Sequence, residues 1–185
     1  MIPDGDISVR ADDAATESAT HAGVPGDFDF LYGCWRVRNE RLRRRLAGCA
    51  EQECFDSDVE CRPVLGGFGN IEQHVAEARD GTRWIGFALR LFDPGSRRWS
   101  IHWTDNRRLV LDPPVSGAFS DGVGSFLGRD QHDGLPVLVR FVWDRRDPDH
   151  PRWEQAFSAD AGASWETNWI MRFARSARDD GKHAP

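Results

Sequence analysis

Glu72 and His74 stand two positions apart in a stretch, 69–78, that alternates in twos. On a strand such residues leave the same face. A carboxylate and an imidazole converging in a cavity can act as general acid and base. Joined by His102 or His132 they would also offer two neutral imidazoles and a carboxylate to a metal. No His-x-His or His-Glu-x-x-His spacing supports that use, and no metal or other cofactor is expected. The same pair fits a solvent-facing polar stripe on an antiparallel sheet, the commoner role of such a pattern. A second group, His102-Trp103-Thr104-Asp105-Asn106, closes another short alternating stretch. Ligand contacts concentrate at strand ends, although Asp105 and Asn106 equally suit the capping of a turn.

Several chemistries are excluded. The one lysine is Lys182, near the C-terminus, so a Schiff base inside the domain is ruled out. Gly66-Gly67-Phe68-Gly69 has neither the lysine nor the following helix of a phosphate loop. No serine sits in a Gly-x-Ser-x-Gly elbow. Cys34, Cys49, Cys54 and Cys61 form no Cys-x-x-Cys pair, and they are expected to be reduced, mostly as small core residues.

The 185 residues carry a net charge of −6, which argues against a nucleic-acid partner. The run Arg36, Arg38, Arg41, Arg43, Arg44, Arg45 reads as the solvated face of a strand and turn, with an anionic-substrate patch as the lesser alternative. Arginine in place of lysine is a skew associated with GC-rich bacterial genomes. No signal-peptide core and no apolar run near the roughly 20 residues of a membrane span is present. A cytoplasmic protein with no membrane partner is expected.

What positions these residues is a series of short strands. Residues 1–26 lack hydrophobic periodicity and read as a flexible arm, with a short helix over 11–20 compatible with the composition; residues 176–185 read as a tail. Between them, 27–175 alternate in twos over ten segments: 34–44, 53–62, 69–78, 83–92, 97–104, 114–119, 123–130, 136–144, 151–158 and 165–174. Asp80-Gly81, Asp93-Pro94-Gly95, Asp121-Gly122 and Asp133-Gly134 supply hairpin turns. Ser158-Ala159-Asp160-Ala161-Gly162-Ala163-Ser164-Trp165 looks like an Asp-box turn, a structural device. Ten consecutive hairpin-linked strands predict an all-β, up-and-down antiparallel barrel, because closure removes the edges. A two-sheet sandwich is the competing architecture.

Alternation assigns most faces. Trp35, Val37 and Asn39 point in, as do Val137, Val139, Phe141 and Trp143; Trp153, Gln155 and Phe157; and Thr167, Trp169, Met171 and Phe173, with Asn168 outside. Two strands stay open. Asn70, Glu72 and His74 oppose Ile71, Gln73 and Val75, while Ser100, His102 and Thr104 oppose Trp99, Ile101 and Trp103. Eight Trp and eleven Phe suffice to line an apolar pocket. The expected ligand contacts are Asn39, Asn70, Trp103, Asp105, Phe141, Gln155 and Trp169.

Phe28-Asp29-Phe30-Leu31-Tyr32-Gly33-Cys34-Trp35 resembles the Gly-x-Trp start of calycins, the lipocalin and fatty-acid-binding-protein superfamily. The resemblance implies that Trp35 plugs the closed end under a late basic residue, Arg172 or Arg175. Over about 28–174, including Phe92-Asp93-Pro94, Arg98-Trp99-Ser100-Ile101 and Trp153-Glu154-Gln155-Ala156-Phe157-Ser158, the chain is similar to a calycin-like bacterial family of uncharacterised proteins. It supplies no catalytic motif. The haem-binding nitrobindin type has a Gly-x-Trp-x-Gly-x-Gly-x-Gly start, from which Arg36-Val37-Arg38-Asn39 departs.

The leading expectation is a barrel that binds a small apolar or aromatic molecule. The alternatives are a cofactor-independent cyclase, isomerase or hydrolase of bacterial specialised metabolism using Glu72, His74 and His102; a haem-binding barrel; and a solid structural module. A homodimer is compatible with each.

Overall fold

The computed structural model describes residues 22–78 and 80–176. The expected helix over 11–20, most of the N-terminal arm and nearly all of the C-terminal tail lie outside them.

Ten antiparallel strands close into one barrel in the order β1-β10-β9-β8-β7-β6-β5-β4-β3-β2, each strand beside its neighbours in sequence and β1 sealing against β10. They are β1 (Gly33–Leu42), β2 (Gln52–Val64), β3 (Gly69–Glu77), β4 (Arg83–Asp93), β5 (Arg98–Asp105), β6 (Val115–Ser120), β7 (Val123–His132), β8 (Leu135–Asp144), β9 (Arg152–Ser158) and β10 (Glu166–Arg175). The sandwich alternative is thereby excluded. Each strand lies within two residues of its expected bounds, because the punctuating turns are chemically explicit. Asp121-Gly122 and Asp133-Gly134 take positive φ at both positions, the geometry that matches the twist of paired strands. In the Asp-box turn the Asp160 carboxylate accepts from Ser164 N and Oγ (2.8 and 2.6 Å) and from Ser158 Oγ, 2.7 Å. These bonds hold the Asp160 carboxyl down at about 2.

The odd-numbered strands end, and the even-numbered strands begin, at one rim of the barrel; the other rim is plugged. A 3₁₀ helix over Pro25–Leu31, which no periodicity announced, lies across the plugged end with Phe28 and Leu31 fully buried. Pro25 and Gly26, expected in the arm, belong to it. Phe28 packs edge-on against Trp99 and Phe119 at 5.0 and 5.1 Å. Trp35 donates Nε1–H to the Leu31 carbonyl, 2.7 Å. Arg175 covers the Trp35 ring at 3.8 Å and donates to the Tyr32 and Phe30 carbonyls, 2.6 and 2.9 Å. Arg175 is therefore the cover. Arg172 stays outside, 3.5 Å from Glu40.

Two face assignments change. A register shift between Thr167 and Trp169 puts the adjacent Asn168 and Trp169 both inside and leaves Thr167 exposed. A bulge inserts one residue, so strict alternation fails across it. Of the cysteines only Cys61 is buried; Cys54 is exposed, Cys34 and Cys49 are intermediate, and no disulfide joins them.

Replacing Arg175 by Ala removes a cation–π contact and two charged hydrogen bonds. It should lower stability by about 1–3 kcal/mol in urea unfolding followed by Trp fluorescence. Arg172→Ala, which removes only an exposed pair, should cost less than about 1 kcal/mol.

Candidate functional site

β3 turns its polar face inward. Asn70, Glu72 and His74 are 0%, 2% and 1% exposed, which overturns the solvent-stripe reading. The reason lies on the neighbouring strand. β4 directs Trp84, Gly86, Ala88, Arg90 and Phe92 inward, and register places Arg90 opposite Asn70, Ala88 opposite Glu72 and Gly86 opposite His74. Arg90, itself buried, donates to Asn70 Oδ1 through Nη1 and to Glu72 Oε1 through Nη2, both at 3.0 Å. The two small residues leave room for the carboxylate and the imidazole. β5 resolves the other way, with Trp99, Ile101 and Trp103 inward. His102 stands on the outward face and does not line the cavity, so its expected role beside Glu72 and His74 is not supported by position.

Burial alone would raise the Glu72 carboxyl, but the charges of Arg90 and His74 and their hydrogen bonds outweigh it and hold the group down at about 2. Glu72 is therefore ionised, and the His74 Nε2–H donates to Oε1 at 2.7 Å. A carboxylate in that position fixes the tautomer and the orientation of the ring. His74 Nδ1 and Glu72 Oε2 are left without partners. The edge of the Trp103 ring meets His74 at 5.4 Å. Gly86 permits this, because a Cβ there would lie 2.5 Å from the Trp103 ring. On its far side Arg90 stacks on Phe28 and Trp143 at 5.1 and 5.3 Å. The polar layer thus rests on the aromatic plug.

Above this layer is a cavity of about 230 Å³, lined by Glu72, His74, Arg90, Trp103, Phe141, Trp153, Gln155, Phe157 and Trp169 among others. Trp169 packs edge-on against Trp103 and Trp153 at 5.8 and 5.5 Å, and Phe141 against Trp153 at 4.9 Å. Of the expected ligand contacts, Trp103, Asp105, Phe141, Gln155 and Trp169 line the cavity. Asn39 and Asn70 are inward but sit behind it. Asn39 accepts the Trp169 Nε1–H at 3.0 Å, fixing that ring, and Asn70 holds Arg90. Asp105 serves both readings: it lines the cavity and accepts the Trp84 Nε1–H at 3.2 Å, and its Oδ1 also caps the turn through Arg107 N and Arg108 N.

Sequence reasoning missed the arginines. Arg90 was detectable as the one charge on an otherwise apolar face of β4. Arg41 and Arg45 share a uniform arginine run with exposed neighbours, yet both turn onto the cavity. Arg36 and Arg38, by contrast, are exposed and pair with Asp56 and Asp58 on the outer wall. Among the described residues no cluster of three or more His, Cys, Asp or Glu could hold a metal. None of the described helices is long and apolar enough to cross a membrane.

Because the Glu72 carboxyl lies lower in the folded chain than its ordinary 4.5, its contribution to stability is complete above about pH 5. It should fall away between there and pH 2, by roughly 3 kcal/mol. Acid titration of the unfolding free energy should show this limb, and Glu72→Gln should flatten it. Glu72→Leu, which strands the Arg90 cation, should cost about 3–5 kcal/mol at neutral pH.

No protein-family model matches this sequence, and no curated protein does. Among solved structures the fold is similar to that of the S-type phycobiliprotein lyase CPES from Guillardia theta, with a TM-score of 0.57 at 13% identity over 84% of this chain and 94% of that one. The shared feature is the architecture: an all-β, closed antiparallel barrel.

Proposed function

We propose that the protein binds a small aromatic or apolar molecule in the barrel cavity. One observation carries this reading: an aromatic-walled space of about 230 Å³ is also lined by Glu72 and His74, and each of these carries a buried polar atom, Oε2 and Nδ1, that has no hydrogen-bond partner in the protein. Ligand sites combine an apolar wall with a few placed polar groups in this way. The volume lies just below the usual range of about 300–1,000 Å³, which favours one or two rings over a porphyrin. A ligand hydroxyl or N–H would satisfy the free acceptors. The calycin resemblance supports the same reading, with Trp35 and Arg175 in the places of its plug and cover.

A proton-transfer enzyme is the second reading, favoured by the 2.7 Å contact of His74 with Glu72. In it His74 Nδ1 takes the proton and the Glu72 carboxylate stabilises the resulting imidazolium. For any substrate turned over in the cavity, Glu72→Gln and His74→Gln should each lower kcat by about 10²-fold or more. His102→Ala, on the outer face, should leave it unchanged.

The binding reading is tested with 2-naphthol, a neutral fluorescent two-ring probe with one hydroxyl. Calorimetry should give a Kd on the order of 10–100 μM. Val139→Trp, which fills the cavity from the β8 wall, should weaken binding at least tenfold while circular dichroism stays that of a barrel. Absence of binding to the wild-type chain would refute the reading.

A further inference from the structure

Four arginines line the cavity, and three of them are held by the protein's own carboxylates. Arg90 meets Glu72 at 3.0 Å, Arg108 meets Asp112 at 2.6 Å, and Arg41 donates Nε–H to Glu53 at 2.7 Å. Arg45 differs. Its guanidinium has no hydrogen-bond or ion-pair partner among the described residues; its contact is the face of Phe157, 5.4 Å away. It sits on the loop between β1 and β2, whose next residue is pinned to the barrel by the bond from Leu46 N to Glu166 Oε1, 2.7 Å. The backbone beside Arg45 is therefore fixed at the open rim. Burial and then the like charge of Arg41 disfavour the Arg45 cation, and Asp112, Glu166 and Glu53 only partly offset them. Each of those three acids is already engaged, by Arg108, Leu46 N and Arg41 respectively.

A guanidinium with five donors, partly desolvated beside an aromatic wall and lacking a carboxylate, is an incomplete pair. We propose that Arg45 is the anion-recognition residue of the cavity, and that the ligand is a small aromatic acid whose rings lie among Trp103, Phe141, Trp153 and Trp169 while its carboxylate pairs with Arg45 at the rim. Arg41, bound to Glu53 and stacked 5.0 Å from Trp169, supports the site by its charge while its own carboxylate partner keeps it in place. This inference rests on the cavity being a ligand site and adds the charge class of the ligand.

The test compares 2-naphthoate with naphthalene-2-carboxamide, which share rings and nearly share shape but differ in charge. Isothermal titration at pH 7.5 in 50 mM NaCl should show the carboxylate binding at least tenfold tighter. Raising NaCl to 500 mM should shrink that advantage, because salt screens a rim charge. Arg45→Gln should erase the advantage while leaving the carboxamide Kd within about twofold. Arg44→Gln, one residue away and exposed, should leave the advantage intact. Equal binding of the two probes, or an advantage that survives Arg45→Gln, would overturn the assignment of Arg45 while the aromatic cavity stands. Failure of both probes to bind would overturn the cavity reading, and the Arg45 assignment with it.

Discussion

The Arg90–Glu72 ion pair in the middle of the barrel is the constraint around which the interior is arranged. Two opposite charges withdrawn from water are tolerated only when each is paired and hydrogen-bonded. Arg90 therefore takes both Asn70 and Glu72, and Glu72 takes both Arg90 and His74. The pairing explains why β3 presents its polar face to the interior. It explains the value of Gly86 and Ala88 on β4, since larger residues opposite His74 and Glu72 would displace the groups or the Trp103 ring. The network is not fully closed. It leaves His74 Nδ1 and Glu72 Oε2 buried without partners, and a free acceptor in a water-poor place is a standing preference for a donor.

That layer divides the barrel into two ends with different work. Below it, Phe28, Trp99, Phe119, Phe126 and Trp143 fill the space, and the 3₁₀ helix seals it with Arg145 anchored on Asp27 at 3.0 Å. Above it, the aromatic rings stand apart enough to leave a cavity, and Asn39 holds Trp169 upright from behind. Arg90 touches both halves, stacking on plug rings and pairing with the cavity's carboxylate. A change at Arg90 would consequently disturb packing and electrostatics together.

Much of the barrel was legible because its turns are chemically marked and most of its strands bury one apolar face. Asp-Gly hairpins fix where strands stop, and alternation then fixes facing for β1, β8 and β9. β10 followed alternation from Trp169 onward but not at Thr167, where a bulge moves Asn168 inside. The site was less legible. Glu72 and His74 were visible as a pair, yet β3 has a polar set and a mixed set, and parity is silent when neither is plainly apolar. In the arginine run the composition is uniform, while the structure splits it: Arg36 and Arg38 meet acids on the outer wall, and Arg41 and Arg45 turn onto the cavity.

The sequence by itself determined the all-β class, the ten strands, the hairpin turns and Trp35 as the closed-end plug, since these depend on neighbours in the chain: turn residues, alternation and a local motif. Only the tertiary structure decided that Asn70, Glu72 and His74 face inward, that Arg175 rather than Arg172 covers Trp35, and that His102 faces away from the pair it was expected to join. The reason in each case is a partner far along the chain. Arg90 compensates the charge that would otherwise drive Glu72 to water, and closure of β1 on β10 sets Arg175 directly across from Trp35.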